Sequence, residues 1–151
     1  MFFYSNEGLG DFGGIKFIDR LVAKIVSKVP VIKTNSRSSM TIGPVIFAGK
    51  KRWDKSIEAH EREHARQQIQ YPFGLLAWFV RYKVDKKFRW DQEKKAINVQ
   101  IETAGKLNLT VNWDDLYSSY LNDYNGMVSQ QELTQFVTSM KERYFSITGH
   151  Y

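Results

Sequence analysis

Two histidines and a glutamate form the pattern in this sequence with the clearest chemical potential: His60, Glu61 and His64. Histidines four positions apart lie on one face of an α-helix, so both imidazoles can bind one metal ion. Glu61 follows the first histidine and is offset from that face, which places its carboxylate beside a metal-bound water. Zinc lowers the pKa of such a water towards ~7, and a nearby carboxylate can accept its proton. The pattern predicts zinc binding by His60 and His64, with Glu61 as general base.

The alternative interpretation of this stretch is an exposed helix face of alternating charge. The chain contains three histidines and eight glutamates in 151 residues. Random placement would produce the pattern in about three chains per thousand, a false-positive rate of the kind that short motifs carry. Two of the three histidines lie within the pattern, and a solvated helix face leaves that concentration unexplained.

A catalytic zinc site needs a third protein ligand and an open position. The sequence has no cysteine, so this ligand has to offer nitrogen or oxygen. The candidates are His150, Asp85, Asp91, Glu93 and Glu102. His150 is the penultimate residue, where chains tend to fray, whereas Glu93 lies one or two turns inside a predicted helix. A glutamate there is equally well explained by its favourable interaction with the helix dipole, so spacing alone leaves both interpretations open.

The motif and the residues that follow it resemble the small glutamate-zincin-like, metallopeptidase-like proteins of bacteria and phages. The resemblance covers roughly residues 40–100 and is carried by His60, Glu61, His64 and Gln67, by Tyr71 and Tyr82 in an apolar segment, and by the run 90–96 with Glu93 and Ala96. It implies that His60, His64 and Glu93 are zinc ligands and that Glu61 is the general base. Gln67, one turn beyond His64, is either a group that orients a ligand or a solvated glutamine.

Two function hypotheses follow from this resemblance. The first is a zinc-dependent peptidase-like hydrolase, in which a metal-activated water attacks a peptide or amide bond of a peptide or protein substrate. The second is a catalytically inactive zincin-fold protein with a structural or interaction role, such as a component of a phage particle that binds a protein partner. The second is motivated by Arg62 and Glu63, since the two central positions of the peptidase motif are usually uncharged.

Two further features of the sequence have competing interpretations. A peptidase of this type needs a donor for the oxyanion, and the candidates are Tyr117, Tyr120, Tyr124, Arg89 and His150. The spacing of polar residues over 123–132 partly matches a calcium-binding loop, but Leu121 stands where the first ligand is expected. A turn followed by a capping box at Ser129 and Glu132 explains the same residues.

The elements that must position these residues follow from periodicity, caps and breakers. The predicted elements are a helix over 15–29 ended by Pro30, a strand pair or bent edge strand over 39–47, a helix with Asp54 or Ser56 as N-cap and Pro72 as stop, a second helix to about Phe88, a third helix over 91–104 ended by Gly105, and a helical hairpin over 113–123 and 129–144. The predicted fold class is α+β: a mostly helical, zincin-like single domain over residues 1–151. It has a short N-terminal β-sheet and a C-terminal helical hairpin.

Composition and charge mainly exclude classes of function and location. The net charge of +6 and the pI of 9.5 permit attraction to polyanions, but no nucleic-acid motif accompanies the basic clusters, so specific nucleic-acid binding is not predicted. The apolar run 73–80 falls far short of the roughly 20 residues that cross a bilayer. The first residues lack the features of a secretory signal, so none is predicted. The location stays unknown: a cytoplasmic one agrees with this start, and a virion-associated one is what the resemblance to phage proteins implies. The sequence does not predict an oligomeric state.

Overall fold

Six helices and three strands make up the described part of the chain, which in this computed structural model comprises residues 13–50 and 53–149. In chain order they are α1 (Gly13–Ser27), β1 (Val31–Lys33), β2 (Met40–Ile42), β3 (Val45–Ala48), α2 (Lys55–Gln70), α3 (Gly74–Val84), α4 (Lys86–Lys106), α5 (Trp113–Asp123) and α6 (Gln130–Thr148). The predicted α+β class, mostly helical with a short sheet near the N-terminus and helices at the C-terminus, is confirmed. Within these residues no helix combines the length and apolarity needed to span a membrane.

The three strands form one small sheet in the order β1-β3-β2. Strands β2 and β3 are an antiparallel pair joined by a tight turn at Gly43, whose φ of 56° suits a glycine, and β1 lies parallel to β3 on its other side. The predicted strand pair over 39–47 is therefore confirmed, with Pro44 in the turn. Ile46 of β3 packs with Val29 and with Ala65 of α2 in a buried cluster, so the sheet rests on the helix that carries the histidines.

Helix α2 carries the motif and begins as its sequence predicts. The Asp54 carboxylate accepts hydrogen bonds from the backbone N–H groups of Ser56 at 2.8 Å and Ile57 at 3.1 Å, which satisfies two donors that the first helical turn leaves unpaired. The helix ends at Gln70, with Tyr71 as its extended C-cap, because the residue before a proline, here Pro72, is disfavoured in helical conformation. Of the two predicted N-caps, Asp54 is the one that caps the helix, and the predicted stop at Pro72 is confirmed.

Replacement of Asp54 by alanine is expected to lower the free energy of unfolding by about 1 kcal/mol, since it removes the N-cap of α2. Urea denaturation followed by circular dichroism measures this change. The control is Asp114→Ala, because Asp114 is an exposed aspartate in the first turn of α5. That variant is expected to change the free energy of unfolding by less than about 0.5 kcal/mol. Equal effects of the two substitutions would contradict the capping role of Asp54.

The boundary between the next two helices differs from the prediction. Helix α3 ends at Val84 and α4 begins at Lys86, so the predicted end at about Phe88 is wrong. Asp85 causes the difference: its backbone N–H bonds to the carbonyl of Arg81, and its side chain accepts the backbone N–H of Phe88 at 2.9 Å. Asp85 therefore ends α3 and caps α4. The apolar pattern of the sequence continues across Asp85, so it does not reveal this boundary.

The prediction that Gly105 ends the third predicted helix is also wrong. Helix α4 continues to Lys106, and the positive φ expected after a helix end is adopted by Asn108, at 51°. A Cβ atom at position 105 would lie 3.1 Å from the side chain of Ile147 in α6. Gly105 therefore serves the close approach of α4 and α6, a contact between residues far apart in sequence.

The C-terminal helical hairpin is confirmed, and it packs on α4. The buried residues of the main hydrophobic core are Trp90, Ile97, Ile101, Tyr120, Tyr124, Leu133, Val137 and Met140. At the hairpin turn the Ser129 hydroxyl accepts the backbone N–H of Glu132, and the Glu132 carboxylate accepts the indole N–H of Trp90 at 2.9 Å. These contacts favour the capping interpretation of this turn over a calcium-binding loop.

Candidate metal centre

The structure brings His60, His64 and Glu93 together at one point between α2 and α4. The Nε2 atoms of the two histidines are 3.1 Å apart, and Glu93 oxygens lie 3.7 Å from the Nε2 of His60 and 3.5 Å from that of His64. Among the described residues, this is the one group of three or more histidine, aspartate or glutamate side chains whose ligand atoms converge in this way. Of the candidate third ligands, Glu93 is the one that reaches the histidines.

The spacing of these atoms fits a tetrahedral metal ion. Nitrogen and oxygen ligands bind zinc at ~2.0–2.2 Å, so neighbouring ligand atoms on a tetrahedron lie about 3.3–3.6 Å apart. The separation of the two Nε2 atoms is 3.1 Å, and the nearest Glu93 oxygens, Oε1 for His64 and Oε2 for His60, lie at 3.5 and 3.7 Å, all close to that interval. Two imidazole lone pairs at 3.1 Å also repel each other unless a cation or a shared proton lies between them. The donor set therefore fits a zinc ion.

The electrostatics of the three ligands favour a positive charge among them. Burial and the neighbouring His64 lower the pKa of His60 to about 4. Burial alone would lower the pKa of His64 as well, but the adjacent Glu93 carboxylate raises it above its ordinary value. Burial would raise the pKa of Glu93, yet the two histidines and the Tyr82 hydroxyl hold it at about 2. An ionised carboxylate facing two buried imidazoles is an environment that attracts a cation.

Two tyrosines hold the Glu93 carboxylate in place. The Tyr82 hydroxyl donates to its Oε1, and the Tyr124 hydroxyl donates to its Oε2 at 2.8 Å. A carboxylate has about four lone-pair positions, so both oxygens retain capacity for a metal ion. Tyr82 comes from α3 and Tyr124 from just beyond α5, so two segments distant in sequence hold a ligand that α4 carries. From the sequence, Tyr124 is predicted only as an oxyanion donor and Tyr82 only as part of the family pattern.

Gln67 orients His64. Its side-chain oxygen lies 3.0 Å from the Nδ1 of His64, and its amide nitrogen donates to the backbone carbonyl of Gln92 at 3.0 Å. A proton on Nδ1 leaves Nε2 with its lone pair directed at the other ligands, as a metal-binding histidine requires. Gln67 is buried, so of its two interpretations the structure favours the orienting group. The Nδ1 of His60 is buried and has no hydrogen-bond partner among the described residues, although Gln100 is near enough to raise its pKa.

Replacement of Gln67 by alanine is expected to weaken zinc binding about 10- to 100-fold, because His64 loses the acceptor that fixes its tautomer and ring orientation. Competition with a zinc-sensitive chelating dye measures the dissociation constant. Gln70→Ala is the matched control, since Gln70 lies on the same helix but accepts from Arg66 instead of a histidine. Unchanged zinc affinity in the Gln67 variant would show that this contact only packs the two helices together.

Glu61 lies beside the metal ligands and is held by the edge strand of the sheet. Its Oε2 accepts the hydroxyl of Thr41 in β2 at 2.6 Å, and its side chain is buried. Burial raises the pKa of Glu61 above its ordinary value. Gln68 ties the same strand to α2, because its amide bonds to the carbonyl of Thr41 and the backbone N–H of Gly43. No sequence signal pointed to Thr41, which precedes Glu61 by 20 positions.

The charged central pair of the motif faces other partners. The Arg62 guanidinium donates to the carbonyls of Val26 and Val29 at the end of α1 and to the carboxylate of Glu58. Glu63 forms a bidentate ion pair with Arg66, with N···O distances of 2.6 and 2.7 Å. Both side chains therefore have structural partners, and neither belongs to the group of converging ligands.

The other acidic candidates and Tyr117 lie away from the metal ligands. Asp85 caps α4, Asp91 pairs with Lys94, and Glu102 pairs with Lys106 and Arg143. Tyr117 bonds to Thr134, away from the metal ligands, and His150 lies outside the described residues.

Two cavities, of about 810 and 370 Å³, reach the centre, and His60 and Glu61 line both of them. Tyr120 and Tyr124 line the larger cavity and Arg89 the smaller, so these three oxyanion candidates stay close to the site.

Comparison with known proteins gave no match: no family model, no curated protein and no solved structure matches this chain. The resemblance to glutamate-zincin-like proteins therefore stays a prediction from the motif residues. A functional proposal rests instead on the convergence of His60, His64 and Glu93 beside Glu61.

Proposed function

We propose that this protein is a zinc-dependent hydrolase that cleaves peptide or related amide bonds. His60, His64 and Glu93 would be the zinc ligands and Glu61 the general base. The observation that carries the proposal is a cluster beside the buried carboxylate of Glu61. The Nε2 atoms of His60 and His64 are 3.1 Å apart, and one Glu93 oxygen lies 3.7 Å from the first and the other oxygen 3.5 Å from the second. The same residue types, in the same roles, define the glutamate-zincin-like proteins that the sequence resembles.

The chain's own groups can perform the proton transfers of such a reaction. A zinc ion at this position would lower the pKa of a water molecule and polarise the substrate carbonyl. Thr41 fixes one carboxylate oxygen of Glu61 and leaves the other to accept a proton from the attacking water. Glu61 then returns that proton to the leaving amine. The two cavities that meet at His60 and Glu61 provide access for substrate on either side.

The alternative prediction is an inactive zincin-fold protein with a structural or interaction role. Its motivations are the charged pair Arg62 and Glu63, the small size of the chain and a helical hairpin suited to docking. The contacts of Arg62 with α1 and of Glu63 with Arg66 explain these charges through packing, so they do not argue against catalysis. The hydrolase is therefore the function that the described geometry supports better.

Elemental analysis of purified protein, combined with a peptide-library hydrolysis assay, tests the proposal. We expect about one zinc per chain, as for a single His-His-Glu site. We also expect hydrolysis that stops with 1,10-phenanthroline and returns with added zinc. Protein without zinc, or hydrolysis that is insensitive to the chelator, would contradict the proposal. A full complement of zinc without hydrolysis of any peptide would support the alternative role.

A further inference from the structure

We propose that the smaller cavity binds the free carboxylate at the carboxyl terminus of a peptide, with Arg89 as the residue that recognises it. This inference rests on the proposed hydrolase function, because it names the substrate class of the same site. It would make the protein selective for bonds near the carboxyl end of a chain. The cavity has a volume of about 370 Å³ and is lined by residues of β2, α2, α3 and α4.

The first observation is a pair of hydrogen-bond donors without acceptors. Trp78 and Arg89 both line this cavity, and the Nε1 of Trp78 and the Nε of Arg89 are buried without a partner among the described residues. Trp78 itself is only 2% exposed. A buried N–H without an acceptor costs about 1–3 kcal/mol, so such groups call for an explanation. Both N–H groups lack a hydrogen-bond acceptor, and a carboxylate offers acceptor oxygens.

The second observation is the positive charge of the cavity wall. Arg89 and Lys83 form no ion pair within the described residues. Glu93 lies one turn from Arg89 on α4, but its oxygens already accept from Tyr82 and Tyr124 and face the histidines. The fork of donors on a guanidinium matches a carboxylate, so Arg89 is suited to a bidentate contact.

The third observation concerns the shape of the site. Trp78, Phe79 and Tyr82 give the cavity an aromatic wall that suits the apolar side chain of a terminal residue. The Arg89 guanidinium lies over the ring of Tyr82, 5.1 Å from its centroid, and the hydroxyl of the same ring donates to Glu93. One tyrosine side chain therefore separates the proposed carboxylate site from the metal ligand. That short span places the scissile bond near the carboxyl end of the substrate.

Isothermal titration calorimetry with N-acetylphenylalanine and with its amide, N-acetylphenylalaninamide, tests the inference through binding alone. We expect the acid to bind the native protein at least about tenfold more tightly than the amide, because hydrogen bonds to charged groups are strong. The Arg89→Gln variant is expected to lose this preference. Arg81→Gln is the matched control, since Arg81 also stacks on an aromatic ring but is exposed and paired with Asp85. Zinc-loaded and zinc-depleted protein are both measured, because a carboxylate can bind zinc directly.

Each outcome bears on the inference. Equal binding of acid and amide by the native protein, or a preference that survives in Arg89→Gln, would overturn it. Inorganic phosphate binding as tightly as N-acetylphenylalanine would indicate a general anion site and overturn it as well. If Arg89→Gln fails to fold, Arg89→Lys keeps the charge without the fork, and it is expected to reduce the preference several-fold.

Hydrolysis of matched peptides with free and amidated carboxyl termini separates this inference from the proposed function. Faster cleavage of the free acid, reduced in Arg89→Gln mainly through a higher KM, supports both. Equal cleavage of the two peptides overturns the inference and leaves the hydrolase intact. A calorimetric preference for the acid without any hydrolysis supports the carboxylate site and contradicts the hydrolase.

Discussion

Replacement of Glu61 by glutamine is expected to reduce peptide hydrolysis about 10²- to 10⁴-fold, the usual contribution of a general base. Glutamine has nearly the same shape as glutamate and can keep the contact with Thr41, but it cannot accept the proton of the attacking water. Zinc content should stay unchanged, because the ligand atoms belong to other residues. The measurements are kcat/KM for one peptide substrate and elemental analysis of the same preparation.

The control for this variant is Glu63→Gln. Glu63 is also buried on α2, two positions further along, but its carboxylate binds Arg66. The Glu63→Gln variant is expected to retain the rate of hydrolysis within about threefold, because the substitution changes a packing contact and not the general base. If Glu61→Gln keeps both zinc and full hydrolysis, zinc binding stands and Glu61 is not the base. A fold-wide effect would instead appear as equal losses in both variants.

Replacement of His64 by alanine is expected to weaken zinc binding by roughly 10²- to 10³-fold. Structural zinc sites in peptides have binding free energies of about 10–16 kcal/mol across four ligands, so each ligand accounts for about 2.5–4 kcal/mol. His64 also has a central place in the site, because it contacts His60, Glu93 and Gln67. Its loss should abolish zinc retention during purification and remove hydrolysis with it.

Thermal unfolding gives a second measurement on the same variant. A ligand that binds only the folded state at 100 times its dissociation constant stabilises that state by about 2.7 kcal/mol. Zinc should therefore raise the melting temperature of the native protein and leave that of His64→Ala unchanged. His150→Ala is the matched control among the three histidines and is expected to retain zinc. Loss of zinc from the His150 variant would show that this residue, which lies outside the described part of the chain, contributes to the site.

Much of the secondary structure could be predicted because its causes are local. The start of α2 depends on Asp54 and the N–H groups two and three positions later, and its end depends on the neighbouring Pro72. One error was local, because Asp85 ends α3 and caps α4 through contacts with Arg81 and Phe88. The other occurred where a distant contact decided the outcome. Gly105 looks like a helix stop in sequence, but it lies within α4 because Ile147 needs the space that a side chain would fill.

The candidate site also has a part that local sequence predicts and a part that depends on distant contacts. His60, Glu61, His64 and Gln67 are neighbours on one helix, so their spacing alone determined that two imidazoles, a carboxylate and an orienting amide could act together. Their relative positions follow from the helix repeat and do not depend on the rest of the chain. Glu93 could be proposed from its own helix but not chosen over the other acidic residues by spacing.

Only the tertiary structure decided which groups complete the site. Burial of the core between α4 and the C-terminal hairpin brings Tyr124 to Glu93, 31 positions away, and the sheet brings Thr41 to Glu61. The physical reason is that a helix repeat fixes relative positions over a few residues. Contacts between helices and strands depend instead on the joint burial of apolar surfaces from the whole chain. A short stretch of sequence does not specify which of these surfaces pack together.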